Sequence, residues 1–404
     1  MANIKVFRNI IDKITEKLFT LSGAVTSITI LLITLFLFKE GMGLFNTPEV
    51  ERGYKVLVNS QNRVEELSSS ELKGIFDSEI TNWRDVGGKD LDIKIFRIDD
   101  VFRLYSESEF GENYELLPQK LNEIISKEDG IIAFLPVQYA PESLYVKELL
   151  SKNINAKDYF FGKEWIPTAT PAPLFGVLPL VLGTLLVSIM ALVMAVPLGL
   201  GVAIYLSELA GENQRKLMKP IIELLAGIPS VVYGFFGLVV IVPFVQKTLQ
   251  IPVGETAFTG SVVLAIMSLP TIISVAEDAM RNTPRAMREA SLALGATKWQ
   301  TVYKVIIPYA KSGISAAVVL GIGRAIGETM AVMMVTGNAA VIPVSIFESV
   351  RTIPATIAAE LGEAPTGDAH YQALFLLGCI LFVFTMIISI SAEFISKKQY
   401  NKAS

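Results

Sequence analysis

Six apolar runs, each near the length a bilayer demands, constrain this chain more than any other feature. A hydrocarbon core needs about 20 consecutive apolar residues as helix. Residues 18–38, 176–206, 221–245, 258–276, 313–335 and 373–395 meet that demand. Basic residues sort onto one side if the runs alternate. Lys5, Arg8, Lys13 and Lys17 precede the first run; Arg215, Lys216 and Lys219 follow the second; Lys397, Lys398 and Lys402 follow the last. Basic loops stay in the cytoplasm, so both termini are expected there. A cleaved signal peptide is the rival reading of the first run. That run exceeds a signal core, and no small-x-small site follows Phe38. A retained anchor is expected. Pro179 and Pro197 are expected to interrupt the second run.

The charge is uneven. The 404 residues are 51% hydrophobic and carry a net −4. Residues 39–173 hold 16 Lys and Arg against 24 Asp and Glu, whereas the remainder holds 19 against 15. An acidic, folded insert in a membrane protein is the consequence. Within it residues 55–58 predict a strand, 70–76 a helix begun by a Ser cap, 90–98 an alternating strand and 131–134 a buried one. The fold class is therefore an α-helical integral membrane protein with six transmembrane helices. An α/β extracytoplasmic domain is inserted between helices 1 and 2. The divisions fall at 1–39 (tail and first helix), 40–172 (insert), 173–396 (membrane domain) and 397–404 (tail).

Between the fourth and fifth runs lies a polar, basic stretch, REASLALGATKWQTVYKVIIP, from Arg288 to Pro308. Helix formers open it, Gly295 suits a left-handed stop, and a second periodic run reaches Pro308, which is expected to interrupt it. The stretch resembles the cytoplasmic loop of ABC importer permeases, a Glu-Ala-Ala, then Gly, then Ile-x-Leu-Pro pattern. Glu289, Ala290, Ser291, Gly295, Ile307 and Pro308 stand at the matching positions, with Ser291 in place of the second Ala. The resemblance implies a type I ABC importer permease fold. It also implies that loop 281–311 docks in a groove of a separate ATPase and couples its motion to the pore.

The membrane runs narrow the resemblance. IELLAGIPSVVYGFFGL and GRAIGETMAV resemble phosphate-specific ABC importer permeases of the PstC type. The family implies import of inorganic phosphate across the bacterial inner membrane. It further implies a second homologous permease as heterodimer partner, a dimeric ABC ATPase holding ATP and Mg, and a periplasmic phosphate-binding protein. No cofactor on this chain and no nucleic acid is implied; membrane lipid surrounds it. Part of the insert resembles the phosphate-binding proteins themselves, through Leu72, Ile75, Phe76, Asn82, Trp83, Gly87 and Arg97. Where those proteins hold phosphate with a Ser-Gly-Thr step, this chain has Asp99, Asp100, Val101 and Phe102. Carboxylates there repel an anion, so the insert is expected to meet a partner or guard the outer mouth.

No enzyme constellation emerges. The chain has no phosphate-cradling G-x-x-x-x-G-K-[ST] loop and a single histidine, His370, expected as a satisfied boundary residue. Cys379 is the one cysteine, so no intrachain disulfide forms. Trp299 suits docking or an interfacial anchor. Arg324 and Glu328 fall four residues apart inside the fifth run. Either they pair and lock helices, or Arg324 lines an anion path while Glu328 tempers its grip. Glu223, near the inner end of the third run, either joins that path or faces water or a neighbouring helix. Alternatives outside phosphate import are another oxyanion (sulfate, molybdate, tungstate), a membrane phosphate sensor, and a passive channel.

Overall fold

The computed structural model describes residues 2–400 apart from 49, 51, 52, 112 and 152, with side chains from 15 to 391 apart from 108, 150 and 151. The basic side chains expected in the tails (Lys5, Arg8, Lys13, Lys397, Lys398, Lys402) lie outside the described residues. Helix α1 (Ala2–Met42) carries the first apolar stretch. The insert follows as β1 (Tyr54–Asn59), β2 (Glu66–Leu67), α2 (Ser69–Phe76), β3 (Lys94–Arg97), α3 (Ile98–Leu104), α4 (Leu117–Lys127) and β4 (Ile131–Pro136). It ends with β5 (Val146–Glu148), β6 (Leu150–Ser151), α5 (Ala156–Phe161), β7 (Trp165–Ile166) and β8 (Leu174–Phe175).

Strand β4 lies inside a sheet of order β3-β4-β1-β5, parallel to β3 and antiparallel to β1. A strand covered on both faces needs apolar residues throughout, and Ile131, Ile132, Ala133 and Leu135 are all buried. One face packs on α2 through Val56, Leu72, Ile75 and Ile132; the other packs on α4 through Leu57, Leu121, Ile125 and Ile131. Helix α2 opens on Ser68, whose N–H donates to Glu71 Oε2 at 2.8 Å in a reciprocal cap. The strand expected over 90–98 is shorter than its alternation suggests. It ends at Arg97, whose N–H donates to Asp100 Oδ2 at 2.9 Å and so opens α3.

Among the described residues six helices are long and apolar enough to cross a membrane. In α6 (Leu178–Ile204) neither Pro179, in the first turn, nor Pro197, in the interior, breaks the helix. Helix α7 (Glu212–Ala226) stands apart from the third apolar stretch. That stretch comprises α8 (Ser230–Phe236), a π turn and α9 (Val242–Leu249). The crossing expected at 221–245 therefore starts at Ser230, because Gly227 closes α7 and Pro229 has no N–H to continue it. Next come α10 (Ala257–Arg281), α11 (Arg285–Ala293), α12 (Lys298–Thr301), a π turn (Val302–Ile306) and α13 (Ile307–Gly327). Pro308 does not interrupt anything: Lys298–Gly327 is one 30-residue helix, and the π turn just before Pro308 absorbs its missing N–H. The crossing expected at 313–335 instead breaks at Glu328, whose ψ of 129° is extended. Helix α14 (Met330–Val335) follows separately. Helix α15 (Ile353–Glu360) lies in the connection that follows α14, and α16 (Ala369–Tyr400) comes after it. Helix α10 runs between α6 and α13, so close to the latter that a Cβ on Gly313 would strike Ala279.

The insert is fastened to the helices at two points. Tyr159 of α5 is buried and its hydroxyl donates to Ala373 O in α16 at 2.9 Å. Glu360 collects three donors: Trp165 Nε1 at 2.9 Å, His370 Nε2 at 2.9 Å and Arg351 Nη1 at 2.5 Å. His370 is thus satisfied at the boundary, as expected. Burial alone pushes the Glu360 carboxyl up, but His370, Trp165 and Arg351 outweigh it and hold it below its ordinary 4.5. A lowered carboxyl stabilises the fold above its unfolded value, and the contribution disappears as pH falls through the folded one. Removing one partner of a buried pair costs about 3–5 kcal/mol. Glu360 is part-buried, so Glu360→Ala should destabilise the fold by no more than that, read at pH 7 as a lower thermal midpoint. The gap between variant and wild type should begin to narrow below about pH 4.5, the range of an ordinary carboxyl, and close only once pH falls below the lowered folded value.

Candidate coupling surface and anion path

The loop after α10 folds as a helix-turn-helix. Pro284 precedes α11, where its fixed φ suits a helix start. Gly295 takes φ +83° with open space around it, and the N–H groups of Gly295 and Ala296 donate to Leu292 O at 2.9 Å and Ser291 O at 3.2 Å. These bonds satisfy the last carbonyls of α11. Thr297 and Gln300 then cap α12 reciprocally, at 2.8 and 3.2 Å. Ser291 and Thr301 share a hydroxyl bond of 2.9 Å that closes the knob across its turn.

The knob has a wet tip and an ion-paired root. No residue of α11 is buried, and Glu289 and Ala290 are exposed. Leu292, Leu294, Trp299 and Tyr303 present apolar surface, Leu294 at 89% exposure. Contiguous apolar side chains rimmed by charge mark a protein contact. At the root Arg288 reaches Glu208 at 3.0 Å and Met280 O at 2.8 Å. One turn back on α10, Glu277 is buried and holds Arg215 at 2.8 Å, Lys219 at 3.3 Å and Arg281 at 3.7 Å. Burial would lower the Lys219 ammonium, but the Glu277 and Asp278 carboxylates outweigh it and raise it above its ordinary value. Glu208 and Glu277 did not stand out in the sequence. The partner of Glu208 lies 80 positions away and the shortest contact of Glu277 lies 62 away, beyond the reach of any periodic signal; only Arg281, four residues on, is local to Glu277.

Ile307 is half-buried at the head of α13 and Pro308 exposed beside it. Seventeen positions on, Arg324 is half-buried on the same helix, its Nη1 3.4 Å from Thr271 Oγ1 on α10. Arg324 and Glu328 form no ion pair. Because the helix ends between them, the four-residue spacing does not align them, and Glu328 Oε1 instead accepts the Ala331 N–H at 3.4 Å. Among the described residues no carboxylate lies within 4 Å of Arg324, and no group of His, Cys, Asp and Glu could hold a metal. Glu223 sits exposed on α7, outside the third apolar stretch, which removes it from the interior of that crossing.

The family model for binding-protein-dependent transport system inner membrane components matches residues 195–399. A probable ABC transporter permease protein, YqgH of Bacillus subtilis, is 39% identical over 254 residues, 63% of this chain and 82% of the relative. A phosphate transport system permease protein, PstC of Mesorhizobium japonicum, is 40% identical over 255 residues, 58% of this chain and 77% of the relative. A solved ABC-type phosphate transport receptor from Vibrio cholerae covers 26% of this chain and 48% of its own at 20% identity. Its TM-score of 0.18 is too low to carry any argument.

The turn makes its own prediction. Forcing a Cβ into the left-handed region costs about 1–2 kcal/mol. Gly295→Ala should destabilise the fold by that amount through the backbone alone, read as a lower thermal midpoint, since nothing crowds the site. Gly295→Asn, which tolerates φ > 0, should recover part of it.

Proposed function

Because this chain belongs to the family of binding-protein-dependent transport system inner membrane components, we propose that it is the permease subunit of an ATP-driven importer of inorganic phosphate. The observation that carries the reading is the knob itself: an exposed docking tip, an ion-paired root, and one rigid helix leading to an unpaired arginine. A docking tip implies a partner that moves it. That partner is a dimeric ATPase binding ATP and Mg, since this chain has no nucleotide loop of its own. A second, homologous permease completes the pore, and a periplasmic phosphate-binding protein delivers the anion. The knob, Arg215 and Lys219 lie on the cytoplasmic side, both termini with them, and the insert on the outer side.

In this mechanism closure of the ATPase dimer pushes the knob, and two-state rocking of the helices opens the pore outward. Phosphate then passes Arg324. A planar guanidinium offers paired donors to a tetrahedral oxyanion. With a 3.4 Å tether to Thr271 and, among the described residues, no carboxylate partner, Arg324 is free to offer its charge to a passing anion. The relatives called phosphate permeases favour phosphate over sulfate, molybdate or tungstate as cargo. The insert is read as a docking or guarding domain, not as a phosphate receptor. The start of α3, where an anion would bind, is already occupied by Asp100 accepting the Arg97 N–H at 2.9 Å.

The test is phosphate uptake by the reconstituted subunits in proteoliposomes, with sulfate and molybdate as competitors. Uptake should resist both competitors. Arg324→Gln should abolish it while the assembly still forms, and Glu289→Lys should detach the ATPase. Undiminished uptake in Arg324→Gln would remove the path role, and competition by sulfate would change the cargo.

A further inference from the structure

At the foot of the insert, between α2 and the α5–β8 segment, lies a cavity of about 320 Å³. We propose that it binds the head of a zwitterionic phospholipid from the leaflet on that side. The position fits first. Tyr159 donates to Ala373 O, and its own carbonyl accepts the Val177 N–H at 2.9 Å. The cavity floor is therefore level with the first turns of α6 and α16, where a bilayer meets water. Next to it Phe160 and Phe161 are exposed, Phe161 at 69%. Aromatic rings at that height are how proteins sit in the headgroup layer.

The lining fits second. Phe175, Leu174 and Ile154 make an apolar base suited to glycerol and the first acyl carbons. The rim carries both signs of charge. Lys73 is already held by Asp77 at 2.9 Å and Glu164 at 3.3 Å. Lys163, Asp158 and Glu79 form no ion pair among the described residues, yet all three face the cavity. A lipid phosphate is matched by Lys163 with the Ser69 and Ser70 hydroxyls, and an ammonium by Asp158 and Glu79. A purely anionic head would meet more free carboxylates than free amines, so the charge balance selects phosphatidylethanolamine over phosphatidylglycerol. At this volume the cavity stands at the low end of the roughly 300–1,000 Å³ of ligand clefts. That suits one head rather than a protein segment.

The full chain, purified with its assembled subunits in mild detergent, would be offered equal phosphatidylethanolamine and phosphatidylglycerol and read by native mass spectrometry. Phosphatidylethanolamine should be retained about tenfold over phosphatidylglycerol, equivalent to 1.4 kcal/mol. Asp158→Lys should reverse that preference, and Lys163→Glu or the milder Lys163→Gln should weaken retention of phosphatidylethanolamine. Both positions are exposed, and unchanged thermal melting would certify the fold. Equal retention of the two lipids, or retention indifferent to these substitutions, overturns the proposal. So does displacement of lipid by soluble phosphoethanolamine at the same concentration, which would make the ligand a free zwitterion.

Discussion

Two carboxylates at the knob's end of the helix bundle hold the rest in place. A buried charge is expensive unless partners surround it. Glu277 is surrounded by Arg215, Lys219 and Arg281, and Glu208 by Arg288. These pairs tie α7 to α10 and the knob to the end of α6. Because removing either carboxylate strands a cation that it holds, Arg215 for Glu277 and Arg288 for Glu208, the knob is built into the bundle and is not a loose loop. From Lys298 the helix then runs unbroken past Arg324, a lever of about 39 Å at 1.5 Å per residue.

The opposite end is built on the same principle with one carboxylate. Glu360 gathers Trp165 from the insert, Arg351 from the connection after α14, and His370 from α16. Together with Tyr159 it fixes the insert to the ends of the helices. An α/β unit with its own double-sided core could have hung from a tether. Here its last strands, β7 and β8, share a core with Leu180, Leu377 and Leu44. The last segment of the insert is thus packed into the same core as α6 and α16.

Much of this was legible in the residues. Hydropathy gave the six long helices, because a bilayer tolerates little else. Gly295 announced its turn, since few other residues accept φ +83°. A Ser cap announced a helix over 70–76, and the uninterrupted apolar run at 131–134 announced the inner strand. What failed was tertiary. Nothing local in Gly327-Glu328-Thr329 forbids a helix. The break follows from Glu328 turning to accept the Ala331 N–H, with α14 packed on α8. Pro308 looked like a stop, and a π turn disarmed it. Gly227 and Pro229 were visible punctuation, but they were read as features within a crossing when they mark its start. The ion pairs that join different helices at the root, Arg215–Glu277 and Arg288–Glu208, link residues 62 and 80 apart, and a periodic pattern reports only which face of one helix is apolar.

The central claim is that the root of the knob transmits the ATPase stroke to the path. The most direct measurement is phosphate moved per ATP hydrolysed by the reconstituted complex, wild type against Arg288→Ala with Glu208→Ala. Removing both partners avoids a stranded charge and isolates the mechanical link. Hydrolysis should continue while phosphate per ATP falls about tenfold, the scale of a typical coupling free energy. An unchanged ratio would contradict the account, because the knob would then drive the helices without its root.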